Sequence, residues 1–98
     1  MEIADDSVLA RFKDGKTIMF FCEACDTVHG FNTTWKIEGP DSAPTVSPSL
    51  LVTGRSDYRC HAFIKNGHIE YLSDCSHAHA GKTLKLIPWN KSRFADKD

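Results

Sequence analysis

Residues 58–79 read YRCHAFIKNGHIEYLSDCSHAH. Two short runs, 58–65 and 68–74, flank Asn66-Gly67. Asn-Gly between alternating runs is a strong hairpin signal, because a type I′ turn needs positive φ at both central residues. With those two residues as the turn, Lys65 faces His68 and Cys60 faces Ser73, with Cys75 one diagonal step further on. Side chains alternate faces along a strand, so Cys60 and Cys75 project from one face at one end of the hairpin. His61 and Asp74 lie diagonally on the opposite face. One element is therefore expected to carry a metal half-site on one side and a polar His/Asp pair on the other.

Upstream, Asp14-Gly15 separates 7–13 from 16–22 and gives a second hairpin in which Ala10 faces Met19. Val8, Ala10, Phe12, Thr17, Met19 and Phe21 then form the expected core face. The other face, with Leu9, Arg11, Ile18, Phe20 and Cys22, is less clean. This strand delivers Cys22 into the knuckle Cys22-Glu23-Ala24-Cys25, with His29 four residues beyond. Residues 31–37 read as a third strand carrying Trp35. Residues 38–48, EGPDSAPTVSP, hold three prolines and a glycine. Proline fixes φ and removes a donor, so this stretch is expected to be an ordered loop, neither helix nor central strand. It covers a sheet edge or forms the wall of a pocket. Residues 49–53 are a short apolar strand, 54–57 a turn, 76–81 a turn too short for a helix, and 82–87 a last strand. Pro88-Trp89 closes the fold. Trp35, Trp89, Phe31 and Phe63 read as core aromatics. The fold class is all-β or nearly so: a small domain of two to three antiparallel hairpins tied by a zinc site.

The chain has 98 residues, which fits one domain over 1–98, with 1–6 and 90–98 expected to be mobile. A chain this short buries only roughly 60–65% of its unfolded surface and commonly adds disulfides or a metal. The formal charge of −1 gives no general pull towards nucleic acid or an anionic membrane. No apolar run approaches a membrane span, and MEIADDSV lacks the layout of a signal peptide. The expected location is the cytoplasm, where clustered cysteines more often mean metal or catalysis than disulfides.

Zinc in a structural site takes four ligands, mostly thiolate and imidazole, in a tetrahedron. Cys22, Cys25, Cys60 and Cys75 are the expected set for Zn2+, with His29, His61 or His77 as substitutes for one thiol. The plain alternative is four buried free cysteines. A redox Cys-x-x-Cys usually opens a helix in an α/β fold, and no such helix is visible here. His61, Asp74, His77 and His79, with His29 nearby, form a second constellation. It suits an open metal site or an Asp–His general base, and His61, Asp74 and His77 are the candidate catalytic residues. Alternatively, Asp74 only caps the following turn and the histidines are ligands or solvated.

Together these residues resemble a family of small Cys/His-rich proteins of tailed phages and prophages, often labelled ammonia monooxygenase. The shared pattern runs through Cys22, Cys25, His29, Trp35, Pro44-Thr45, Pro48-Ser49, Cys60-His61, Asp74-Cys75, His77, Gly81 and Pro88. It covers about residues 20–89. The family has Pro-Gly inside the knuckle, where this chain has Glu23-Ala24. The label finds no support in the residues, since there is no membrane span and no copper-type histidine arrangement. The resemblance implies a phage-encoded protein acting in the bacterial host cytoplasm. It also implies that His29, His61, Asp74 and His77 share a constellation with the cysteines.

Three functions follow as expectations. The first is a zinc-binding accessory protein that binds a host or phage protein, for example to inhibit a host system. The second is a small metal-dependent hydrolase using the His/Asp cluster. The third, a zinc-ribbon-like nucleic-acid binder, is disfavoured by the near-neutral charge.

Overall fold

The structure is a computed structural model and describes residues 3–54 and 58–92. The expected turn at residues 54–57 and the tail at 90–98 lie largely outside the described residues. Among the described residues the protein is nearly all-β, with two antiparallel sheets. The first sheet is β1 (Ala10–Arg11), β2 (Thr17–Cys22) and β3 (Thr27–Asn32), in that order. The second holds β4 (Lys36–Glu38), β5 (Thr45–Thr53), β6 (Arg59–Lys65), β7 (His68–Tyr71) and β8 (Thr83–Lys85), also in sequence order. A 3-10 turn over Trp89–Lys91 follows.

The central hairpin forms at the expected turn. Asn66 and Gly67 have φ of 50° and 77°, and Lys65 pairs with His68. The turn is wedged tightly: a Cβ on Gly67 would lie 3.0 Å from the Ala43 backbone. The ladder is shorter than the alternation predicts. It ends after Leu72 N–H donates to the His61 carbonyl at 2.8 Å, and a turn follows in which Cys75 N–H donates to Leu72. Ser76 N–H then reaches the Arg59 carbonyl, so Cys60 does not pair with Ser73.

The Asp14-Gly15 hairpin also has its expected register, Ala10 to Met19. Its core face is the other one. Leu9, Ile18, Phe20 and Cys22 are buried, while Phe12, Thr17 and Met19 are half-buried. The less apolar-looking face wins because Arg11, its one charged member, sits at the rim and pairs with Asp41 at 2.8 and 2.9 Å. Val8, Ala10 and Phe21 are buried as well.

Two expectations about the middle of the chain are corrected. The third strand is Thr27–Asn32, and Trp35 lies beyond it. The Asn32 side chain accepts from Thr34 N–H, and Trp35 N–H donates to the Asn32 carbonyl, so asparagine turn chemistry ends the strand. The stretch 38–48 is only half loop. From Thr45 it enters β5, an interior strand between β4 and β6, straight through Pro48. The register of β5 on β6 shifts between Val46 and Leu50, and Pro48 falls in that irregularity. A bulge is where a strand tolerates a residue with no N–H. The Ser47–Pro48 peptide is cis.

The inner faces of both sheets share one core, with Ile18, Phe20 and Phe31 from the first and Val46, Ile64 and Ile69 from the second. Trp89 is buried, and its N–H donates to the Ser7 carbonyl at 2.8 Å, joining the last described segment to the first.

Candidate functional site

The two faces of β6 hold different chemistry. Cys60, Ala62 and Ile64 point inward and are buried; Arg59, His61 and Phe63 point outward.

On the inner side, the Cys22–Cys25 knuckle is the loop that closes β2 onto β3, where Cys22 pairs with Thr27. His29 lies on β3 opposite Phe20, against whose ring it packs edge-on. Ligand atoms of Cys22, Cys25, His29 and Cys60 all lie within 4.8 Å of one another. The Cys22 and Cys60 sulfurs are 4.0 Å apart. Two thiolates on one tetrahedral zinc would be roughly 3.8 Å apart. Tyr71 brings its hydroxyl 3.1 Å from the Cys22 sulfur, and the Tyr58 hydroxyl donates to the Cys25 sulfur.

The charge state of this cluster asks for a cation. A hydrogen bond from the Cys60 thiol pulls the Cys22 thiol down to about 3, against burial, with Tyr71 adding to the pull. The same bond, with burial, pushes Cys60 up; burial pushes Cys25 up. Further ionisation in this buried group would be favoured by a cation among the sulfurs. His29 Nε2 is buried with no hydrogen-bond partner. An orphaned imidazole nitrogen among three sulfurs fits a metal ion, and a Cys3His donor set is typical of closed structural zinc sites. Cys22, Cys25, His29 and Cys60 would hold it and tie the two sheets together.

Cys75 lies beside Cys60 but falls in a second group, with Cys60 and His77. Its sulfur accepts His61 N–H at 3.2 Å and lies 3.1 Å from the His61 carbonyl. His77 packs edge-on against Tyr71 with its Nε2 buried and unpartnered.

On the outer side, His61 Nε2 accepts from the Ser49 hydroxyl at 2.9 Å. Its Nδ1–H donates to an Asp74 carboxylate oxygen at 3.1 Å, and Arg59 donates to the same oxygen at 3.2 Å. Asp74 lies in the turn that follows the shortened ladder. The hydrogen bond from His61, with that from Arg59, holds the Asp74 carboxyl below its usual range. The carboxylate therefore orients the ring, and the other ring nitrogen is free to take a proton from Ser49.

The structure therefore divides the histidines. His61 and Asp74 meet on the outer face, while His29 and His77 lie inside near the thiols. Ser49 was not singled out as a reactive residue by the sequence reading. The available signal was its place at the head of an alternating strand beside a His/Asp pair, and it needs the β5–β6 register to be read.

A small, nearly all-β protein with a Ser–His–Asp hydrogen-bonded chain on one face of a sheet, backed by a Cys/His cluster on the other, has the parts of a serine hydrolase. The chain belongs to the family described as Bacterial ubiquitination-like system serine protease (BubE), whose model matches residues 2–72. The match includes Ser49 and His61 and ends before Asp74. No curated protein and no solved structure was found to match the chain. Among the described residues, no helix is long and apolar enough to cross a membrane.

Proposed function

We propose that this protein is a serine protease that cleaves a polypeptide of a bacterial ubiquitination-like system. The observation that carries the reading is the pair of hydrogen bonds joining Ser49, His61 and Asp74. Ser49 Oγ attacks the scissile carbonyl carbon while His61 Nε2 takes its proton. The C–N bond then breaks, and the same proton passes from His61 to the departing amine. Water, deprotonated by His61, attacks the acyl-enzyme ester and restores Ser49. Asp74 holds the imidazole in the required tautomer and stabilises its charged form. Zinc, when bound by Cys22, Cys25, His29 and Cys60, would supply structure and leave no coordination position for water. This differs from a metal-dependent hydrolase, in which the metal activates the nucleophile.

The test is labelling with a fluorophosphonate probe, read by intact mass and peptide mapping. The expected result is one adduct per chain, on Ser49, abolished in Ser49→Ala and in denatured protein. An unreactive Ser49 in folded, metal-loaded protein would overturn the protease reading. It would favour the other expectation, a phage-type zinc-binding protein that acts by binding a host or phage protein.

A further inference from the structure

The nucleophile stands on a strand whose far edge is open. β4 pairs with β5 only over Thr45, Val46 and Ser47. Beyond Ser47, among the described residues, no strand pairs with β5 on that side. The opposite side of β5 is paired to β6 as far as Thr53.

The phase of this ladder says which backbone groups face the open edge. Gly54 N–H donates to the Tyr58 carbonyl. In an antiparallel pair, hydrogen-bonded and non-bonded positions alternate. Val52 with Cys60 and Leu50 with Ala62 are therefore bonded to β6, and Ser49, Leu51 and Thr53 turn their N–H and C=O outward. Two observations agree. The Ser49 carbonyl accepts from the Trp35 indole N–H at 3.4 Å, on the β4 side. The His61 carbonyl accepts from Leu72, away from β5. Leu51 is 54% exposed, beside His61 on the outer face.

We infer that the substrate binds as an extended peptide, adding an antiparallel strand to the open edge of β5 at Ser49, Leu51 and Thr53, in line with β4. This rests on the protease reading of Ser49. An edge of unpaired donors and acceptors is a template for an added strand, and alternate side chains supply specificity. The occupant is a peptide because the edge offers backbone hydrogen bonds, and it is the substrate because the edge begins at the nucleophile.

Direction and register follow. A strand that continues β4 runs from Thr53 towards Ser49. The residue whose carbonyl is attacked lies opposite Ser49, and the Ser49 N–H, facing the edge, donates to that carbonyl oxygen as negative charge develops on it. The residue two positions earlier in the peptide exchanges both backbone hydrogen bonds with Leu51. Its side chain stands beside Leu51, so apolar residues are preferred there. Trp35 closes the line beyond Ser49. The enzyme thus reads the residues that precede the cut.

The test uses the full chain and a proteome-derived peptide library, with cleavage sites identified by mass spectrometry. A well-cleaved peptide is then resynthesised with single N-methylated amides. Methylation of the residue two before the scissile carbonyl should lower kcat/KM roughly tenfold or more, the loss of a buried strand hydrogen bond plus a steric clash. Methylation one or three before it should change kcat/KM by less than about threefold, because those amides face away from Leu51. A Leu51→Pro variant removes the edge donor but no bond to β6. It should lose peptide cleavage while Ser49 still takes the fluorophosphonate. If Leu51→Pro does not fold, the methylated peptides decide alone. Ser49-dependent cleavage with equal sensitivity at all three amides, or with the opposite phase, would overturn the edge proposal and leave the protease reading standing. No cleavage and no labelling of Ser49 would overturn both.

Discussion

Cys60 and His61 are consecutive residues on one strand and face opposite ways: the Cys60 sulfur lies 4.0 Å from that of Cys22 in the interior, and the His61 ring bonds Ser49 on the outer face. The strand that carries the Cys60 thiol into the cluster is the one that positions the His61 ring. Loss of the cluster should therefore be felt at the triad without any shared atom.

Removal of the metal is the first consequence. Zinc-bound protein should carry one zinc per chain, and chelation in mild denaturant should unfold it and stop Ser49 labelling together, since structural zinc binding is folding free energy. Circular dichroism and labelling followed against chelator should give coincident curves.

Single ligand changes should separate the two possible donor sets. Cys60→Ser and His29→Ala should both lose zinc and fold, while Cys75→Ser should stay folded with its zinc. Elemental analysis of the three variants checks this. Zinc retained in His29→Ala and lost in Cys75→Ser would restore the four-cysteine set.

At the triad, Ser49→Ala should lower peptide cleavage by about 10^4-fold or more, with the thermal midpoint little changed. Asp74→Asn should cost ~10^2–10^4-fold in kcat, because the amide favours the wrong imidazole tautomer. Single-turnover kinetics would place that loss in acylation.

Core packing gives a stability prediction. Ile64 is wholly buried between the sheets, and Ile64→Ala should destabilise by about 2–5 kcal/mol, read as a lower urea midpoint at unchanged slope. In so small a protein that is a large part of the total.

Acid stability should depend on Asp14. Its carboxylate accepts from the Thr17 hydroxyl and from the N–H groups of Lys16 and Thr17, and the Thr17 bond above all holds it down at about 2. A depressed carboxyl stabilises the fold at pH above its unfolded value of 3.8 and loses that contribution as pH falls through about 2. Asp14→Ala should be less stable than the parent at pH 6, with the difference gone near pH 1.5 in urea titrations.

Local chemistry was legible in the sequence, and tertiary pairing was not. Asn66-Gly67 and Asp14-Gly15 set their registers because the turn geometry is decided by two residues. The His61/Asp74 pair and the Cys22/Cys25/Cys60 grouping followed from those registers and from the short knuckle. Pro48 misled, because its lack of a donor reads as loop unless the bulge that accommodates it is known. Ser49 was legible as the head of a strand, but it meets His61 only through the β5–β6 pairing, which no tight turn in the sequence sets. Cys75 lies beside Cys60 as the hairpin reading has it, in a group with His77, while His29 joins Cys22, Cys25 and Cys60 through the β2–β3 register, which no turn signal in the sequence sets.

The bond from Trp89 N–H to the Ser7 carbonyl has a mechanical consequence. With Val8 N–H on the Asp41 carbonyl, it fastens the first described segment both to the last one and to the loop before β5. A machine pulling on the first described segment would load those two bonds before it peeled β1 from β2. It would reach the β5–β6 pair that carries Ser49 and His61 only afterwards. Pulled from that side, Ser49 and His61 lie behind β1 to β4.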